Sequence, residues 1–230
     1  MRSTHRTGVT GVVVTIAAAL AIAVLTPGAS RAAIILDSLV IRVYDNASVR
    51  DADRAAALRR AAEILFRAEL DVEWLTCPAH REGWACARPP APNELIVRLI
   101  NSPRPDQGGA LRAFSHSVID EAAGEGILAT VYIDQVNWLA TSAKVERTLV
   151  LGRAVAHEIG HLMLGTNEHT SRGLMREIWT AEELQRNRAE DWQFSSAQLA
   201  FLQTRLAHAS SLRAAARKPK VGAAAPRPRS

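Results

Sequence analysis

Apolar positions along this chain switch between two periods. Leu39-Val40-Ile41-Arg42-Val43-Tyr44 is a β-branched and apolar run closed by Asp45 and Asn46, the pattern of a buried strand. From Asp51 to Leu70 the period changes: Ala57, Leu58, Ala61, Ala62, Leu65 and Phe66 recur at helical spacing in an Ala/Arg/Glu-rich segment, which predicts an amphipathic helix. Asp71 to Leu75 alternates polar and apolar residues as a second strand, and Glu94 to Ile100 gives a third. After a Pro/Gly-rich turn at 102–109, Gly109 to Ser115 reads as a weaker edge strand and Ile127 to Ile133 as a stronger one. Helical spacing returns from Ala143 to Leu164, where Val145, Leu149, Val155, Ala156, Ile159 and Leu162 to Leu164 form the core-facing set and Gly165 supplies a stop. A short helical segment at Thr180 to Arg186 and a last helix from Ser196 to Leu206 complete the pattern. These elements predict an α+β domain: helices packed on a twisted mixed sheet of about five strands, followed by a small C-terminal subdomain.

The ends of the 230-residue chain have a different character. Arg2, His5 and Arg6 precede an uncharged apolar run, Val12 to Leu25, and Ser30 and Ala32 stand at the −3 and −1 positions of a cut after Ala32. Residues 1–32 are therefore expected to be a signal peptide. The apolar run is short for a membrane anchor, which needs roughly 20 residues. The mature protein is expected to be secreted or periplasmic, with no stable membrane span and little room for an inhibitory pro-segment before the first strand. Cys77 and Cys86 agree with export. They flank a loop containing Pro78, His80 and Gly83, which favours a disulfide over a Cys/His metal site.

Charge changes the picture once it is located. The formal net charge is +5, but 1–32 holds three arginines and 208–230 holds six basic residues, neither segment carrying an acid. Residues 33–207 keep 19 basic and 23 acidic residues, a net of −4. Nucleic-acid binding, which needs a basic face on the domain itself, has no support in this mildly acidic balance. The Ala/Pro/Arg/Lys-rich tail from 208 is expected to be disordered, and a monomer is the expected state.

Candidate chemistry concentrates in His157-Glu158-Ile159-Gly160-His161. Histidines four apart on a helix are separated by about 400° and leave the same face one turn apart, so both can ligate one Zn²⁺. Glu158, beside the first ligand, is placed to take a proton from water activated by the metal. The flanks, Val155-Ala156 and Leu162-Met163-Leu164, are apolar, so the helix is buried, and a buried carboxylate between two histidines is costly without a partner ion. The third ligand has several candidates: His169, four residues past Gly165, or Glu182 or Glu183, which would make a different type of zinc hydrolase. A zinc that only staples a secreted binding protein is a further reading, and so is a chance motif.

These residues resemble the metzincin clan of zinc peptidases, whose pattern is H-E-x-x-H-x-x-G-x-x-H followed by a methionine turn. The corresponding stretch is H-E-I-G-H-L-M-L-G-T-N-E-H and then T-S-R-G-L-M-R, with one extra residue before the glycine and one more before the third histidine. It is also similar to small secreted bacterial proteins with an H-E-x-G-H-L-L-L-G core and a G-I-M-R turn. The resemblance implies a zincin fold, one catalytic zinc on His157, His161 and His169, Glu158 as base, Gly165 ending the helix and Met175 in the turn beneath the metal. It further implies a metalloendopeptidase whose edge strand takes an extended peptide. Some clan families carry a tyrosine two residues after the methionine; Glu177 stands there instead.

Overall fold

The computed structural model describes residues 39–78, 84–103 and 114–217. The expected signal segment 1–32 and residues 218–230 lie outside that set, as does His80.

Five strands form one mixed sheet in the order β2-β1-β3-β5-β4. They are β1 (Leu39–Asp45), β2 (Val72–Cys77), β3 (Glu94–Ile100), β4 (Ser115–Asp120) and β5 (Glu125–Tyr132). β1 pairs in parallel with β2 and β3, β3 in parallel with β5, and β4 antiparallel to β5. α1 (Asp51–Phe66) connects β1 to β2, as parallel neighbours require a crossover. α1 and α4 (Arg147–Leu164) pack against each other on one sheet face. Ile41, Val43, Val97, Leu99, Ala129 and Val131 from the strands meet Leu58, Ala61, Leu65, Val155 and Ile159 from these helices in the core. The expected mixed sheet packed with two helices is thus present.

The alternation that sends Ile41 and Val43 into the core sends Arg42 to the opposite face, where it is 1 % exposed. It pairs there with the buried Glu94 carboxylate and donates to the Arg88 and Pro89 carbonyls, tying the proline-rich segment to the sheet. Burial alone pushes the Glu94 carboxyl up. The Ala91 N–H and the Arg88 and Arg42 guanidiniums outweigh burial and hold it below the usual range. A depressed folded value means that this contribution is complete above the unfolded pKa of about 4.3 and is lost as pH falls through the folded one. Glu94→Gln is expected to flatten the acid side of the stability profile. Glu94→Ala should cost about 3 kcal/mol at pH 7 by leaving Arg42 buried without its partner, as urea denaturation would measure.

Cys77, at the end of β2, is bonded to Cys86 in a one-turn helix, α2 (Trp84–Ala87), with Cα atoms 5.7 Å apart. Tyr44 Oη donates to the Cys86 carbonyl at 2.9 Å and anchors the same loop to β1.

Several boundaries differ from expectation. An antiparallel edge strand precedes β5 as expected, and among the described residues it occupies Ser115–Asp120. Residues 109–113 lie outside the described set. Ser115 to Asp120 alternates between a face toward the helices and an outward face, and the turn at Gly124 (φ 64°) closes a β4–β5 hairpin that fixes this register. α3 (Ile133–Ser142) follows β5 directly and was not expected, because the β-branched run into Ile133 hides the helical spacing of Ile133, Val136 and Ala140. Lys144 at φ 53° breaks the chain between α3 and α4, so the motif helix starts at Arg147 and not at Ala143. α1 ends at Phe66 before a turn with Glu69 at φ 61°. After α4 come α5 (Ala181–Arg186), a 3-10 turn at Ala189–Trp192 and α6, which runs from Ser196 to Arg217, past the boundary expected at 207. No helix among the described residues is long and apolar enough to cross a membrane.

Candidate metal centre

α4 is buried from Val150 to Leu162 on every side, as its lack of a polar face implies. His157, Glu158 and His161 therefore sit in the interior, each no more than 3 % exposed. Gly165 caps the helix in the left-handed region at φ 69°, donating its N–H to the His161 carbonyl at 2.8 Å. A side chain there would also lie 2.2 Å from the Gly124 carbonyl oxygen in the β4–β5 turn. Gly165→Ala should destabilise the protein by at least about 2 kcal/mol through strain and overpacking together. Its melting temperature is expected to fall by more than about 4 °C. Unchanged melting would contradict this view of the cap.

Beyond Gly165 the chain folds back. Thr166 accepts from His161 Nδ1 at 2.8 Å, and His169 brings its Nε2 to 3.2 Å from His161 Nε2. A loop then closes where Thr170 N–H donates to the Met175 carbonyl at 2.9 Å. The Leu174 carbonyl accepts from His157 Nδ1 at 2.8 Å, while Leu174 N–H donates to Gln193 O. Met175 is fully buried under the motif, its sulfur against Gly160: a Cβ at 160 would lie 2.5 Å from it and 2.9 Å from Phe194. The guanidiniums of Arg153 and Arg176 lie 3.6 and 4.4 Å from the centroid of the buried Trp192 ring and fasten the following segment.

The ring nitrogens decide what the centre can hold. With Nδ1–H of His157 and of His161 each donated to a carbonyl, their Nε2 atoms carry lone pairs. Those lone pairs face each other at 3.0 Å, with His169 Nε2 alongside. Neutral rings arranged this way repel unless a cation lies among them. Burial, aided by the neighbouring histidine charge, lowers the His157 pKa to about 3, against the pull of the Leu174 carbonyl. Burial likewise lowers His161 to about 4. Both rings are neutral at pH 7, the form a metal requires. The ligand atoms of His157, His161 and His169 all lie within 4.8 Å of one another. Three imidazoles, two of them with tautomers fixed by backbone carbonyls, could hold a metal ion such as Zn²⁺.

Glu158 stands beside this cluster without belonging to it. Its Oε2 accepts from Ser117 Oγ at 2.6 Å, and Ser115 also reaches the carboxylate. Burial raises its pKa to about 7, with the two hydroxyls opposing the shift. The histidines and Glu158 open onto one cleft of about 430 Å³, walled by Phe114, Trp138, Leu139, Ile178 and Trp179. Trp179 packs tilted against Phe114, with ring centroids 4.4 Å apart, and meets His157 edge-on at 5.8 Å.

His157, Glu158, His161, His169, Gly165 and Met175 are thus gathered at one centre. Glu182 and Glu183 do not join it. Glu183 closes a capping box with Thr180 and pairs with Arg176 at 3.3 Å, while Glu182 is exposed beside Arg186. Glu177 lines the cleft from its exposed side. Ser115, Ser117 and Trp179 were not picked out from the sequence. Small hydroxyl residues at alternate strand positions were the only local sign of the serines.

No protein-family model matches the chain, and no curated protein matches it. Among solved structures, the crystal structure of archaemetzincin from Methanopyrus kandleri is similar at a TM-score of 0.48 and 12 % identity, over 74 % of this chain and 96 % of that one.

Proposed function

We propose that the protein is a zinc-dependent metallopeptidase of the metzincin type, exported and trimmed after Ala32. What carries the proposal is the convergence of three imidazole Nε2 atoms, two of them held by backbone carbonyls, in a cleft shared with a buried carboxylate. Zinc held by His157, His161 and His169 would supply Lewis acidity toward a carbonyl oxygen and bring the pKa of water down toward ~7. Glu158 is the only acid buried next to these rings among the described residues. Its carboxylate takes the proton of the attacking water and returns it to the leaving amine. β4 is an edge of the sheet among the described residues, and Phe114 to Ser117 line the cleft, so an extended peptide added along β4 brings its scissile carbonyl to the histidines. A metal used only to staple the fold has no need of Glu158 or of an open cleft.

Export is supported by the composition of 1–32 and by the Cys77–Cys86 bond, which an oxidising compartment sustains. Mass spectrometry of the protein recovered from the producing cell is expected to give Ala33 as the first residue. The activity is tested by incubating the purified protein with a peptide library before and after chelation. Cleavage that stops on chelation and returns with Zn²⁺ is expected. A zinc-loaded protein that cleaves nothing would overturn the proposal.

A further inference from the structure

We infer that Ser117 is a positioning residue that holds the Glu158 carboxyl group in place against β4. The inference rests on the peptidase reading above and adds a part to it.

Residues 115 and 117 are two apart on β4, so their side chains leave the same face of the strand, the one turned toward α4. Pairing of Ser115 with Val131 and Ser117 with Ala129 fixes that face in register. Ser117 Oγ lies 2.6 Å from Glu158 Oε2 and 3.2 Å from the Glu158 backbone oxygen. A hydroxyl has one hydrogen to give and lone pairs to accept with. The Ser117 hydrogen points to Oε2 and fixes that carboxyl oxygen against β4, with the Glu158 backbone oxygen as a longer second acceptor. Glu158 is 2 % exposed, so water cannot easily replace that partner.

The test compares Ser117→Thr with Ser117→Val, two side chains of similar size that differ in the hydroxyl, using the full mature protein loaded with zinc. Zinc content, melting temperature, kcat and KM are measured on a peptide that the wild type cleaves. Both variants are expected to hold one zinc per chain. The valine variant should lose about 10–100-fold in kcat with little change in KM, as expected for a lost hydrogen bond to a charged group. Threonine should restore most of the rate. Ser117→Ala removes the hydroxyl without adding bulk and should fall to the valine level. Wild-type kcat in the valine and alanine variants, or a threonine variant as slow as valine, would overturn the inference and leave the peptidase reading standing. A zinc-loaded wild type with no activity would overturn both.

Discussion

Glu158→Gln is expected to keep one zinc per chain and to lose about 10²–10⁴-fold in kcat/KM. Glutamine fills the same buried space and can still accept the Ser117 hydrogen bond through its amide oxygen, so packing around α4 is preserved. It cannot take up a proton from water. Burial of the native carboxyl raises its pKa to about 7 and so makes it a stronger base than an exposed glutamate. The three histidines do not bond to Glu158, and their carbonyl partners, Leu174 and Thr166, come from other parts of the chain. Metal affinity and rate should therefore separate in this variant. Parallel loss of zinc and activity would mean that Glu158 supports the metal and not the chemistry.

The second large effect is expected at the ligands. His157→Ala and His161→Ala each remove a buried imidazole together with the bond that orients it, leaving the Leu174 or Thr166 carbonyl without its donor. Loss of an outer-shell partner alone typically costs 10–100-fold in metal affinity. Loss of the ligand itself should cost more, and zinc titration is expected to find no tight site in either variant. His169→Ala discriminates most. His169 is exposed and follows a longer loop than the family pattern has, but its Nε2 is 3.2 Å from that of His161. It should weaken zinc as clearly as the buried pair does, while Glu183→Ala should leave affinity unchanged and loosen only the Thr180 cap and the Arg176 pair. The reverse result would move the third ligand to Glu183.

How much of this was legible in the chain depended on how local each signal is. The motif helix declares itself within a few turns, because His157, Glu158 and His161 share one face and the apolar flanks leave no solvent side. Gly165 was also readable, although the sequence could not reveal that Gly124 crowds the same position. His169 and Met175 were found through a family pattern and not by periodicity, since the loop that returns them is closed by backbone bonds from Thr170 to Met175 and from Leu174 to Gln193. Strand pairing was the weak point. Ser115 to Asp120 carries only three apolar or half-buried positions, and its place as an edge strand depends on the hairpin with β5. The expected strand stopped at Ser115, so nothing pointed to Ser117, whose role exists only because α4 and β4 meet. The Arg42–Glu94 pair was hidden for the same reason: a charge within the β1 run makes sense only beside a partner from β3 and the Arg88 segment.

X-ray absorption at the zinc edge of the purified protein tests the central claim most directly. One zinc per chain with three imidazole nitrogens at about 2.0–2.1 Å and a further light-atom ligand is the expected result, and in His169→Ala, loaded at a zinc concentration high enough to overcome its weakened site, the imidazole signal should drop by one ring. A closed shell of four protein ligands, or a zinc environment unchanged by His169→Ala, would contradict a catalytic centre built on His157, His161 and His169.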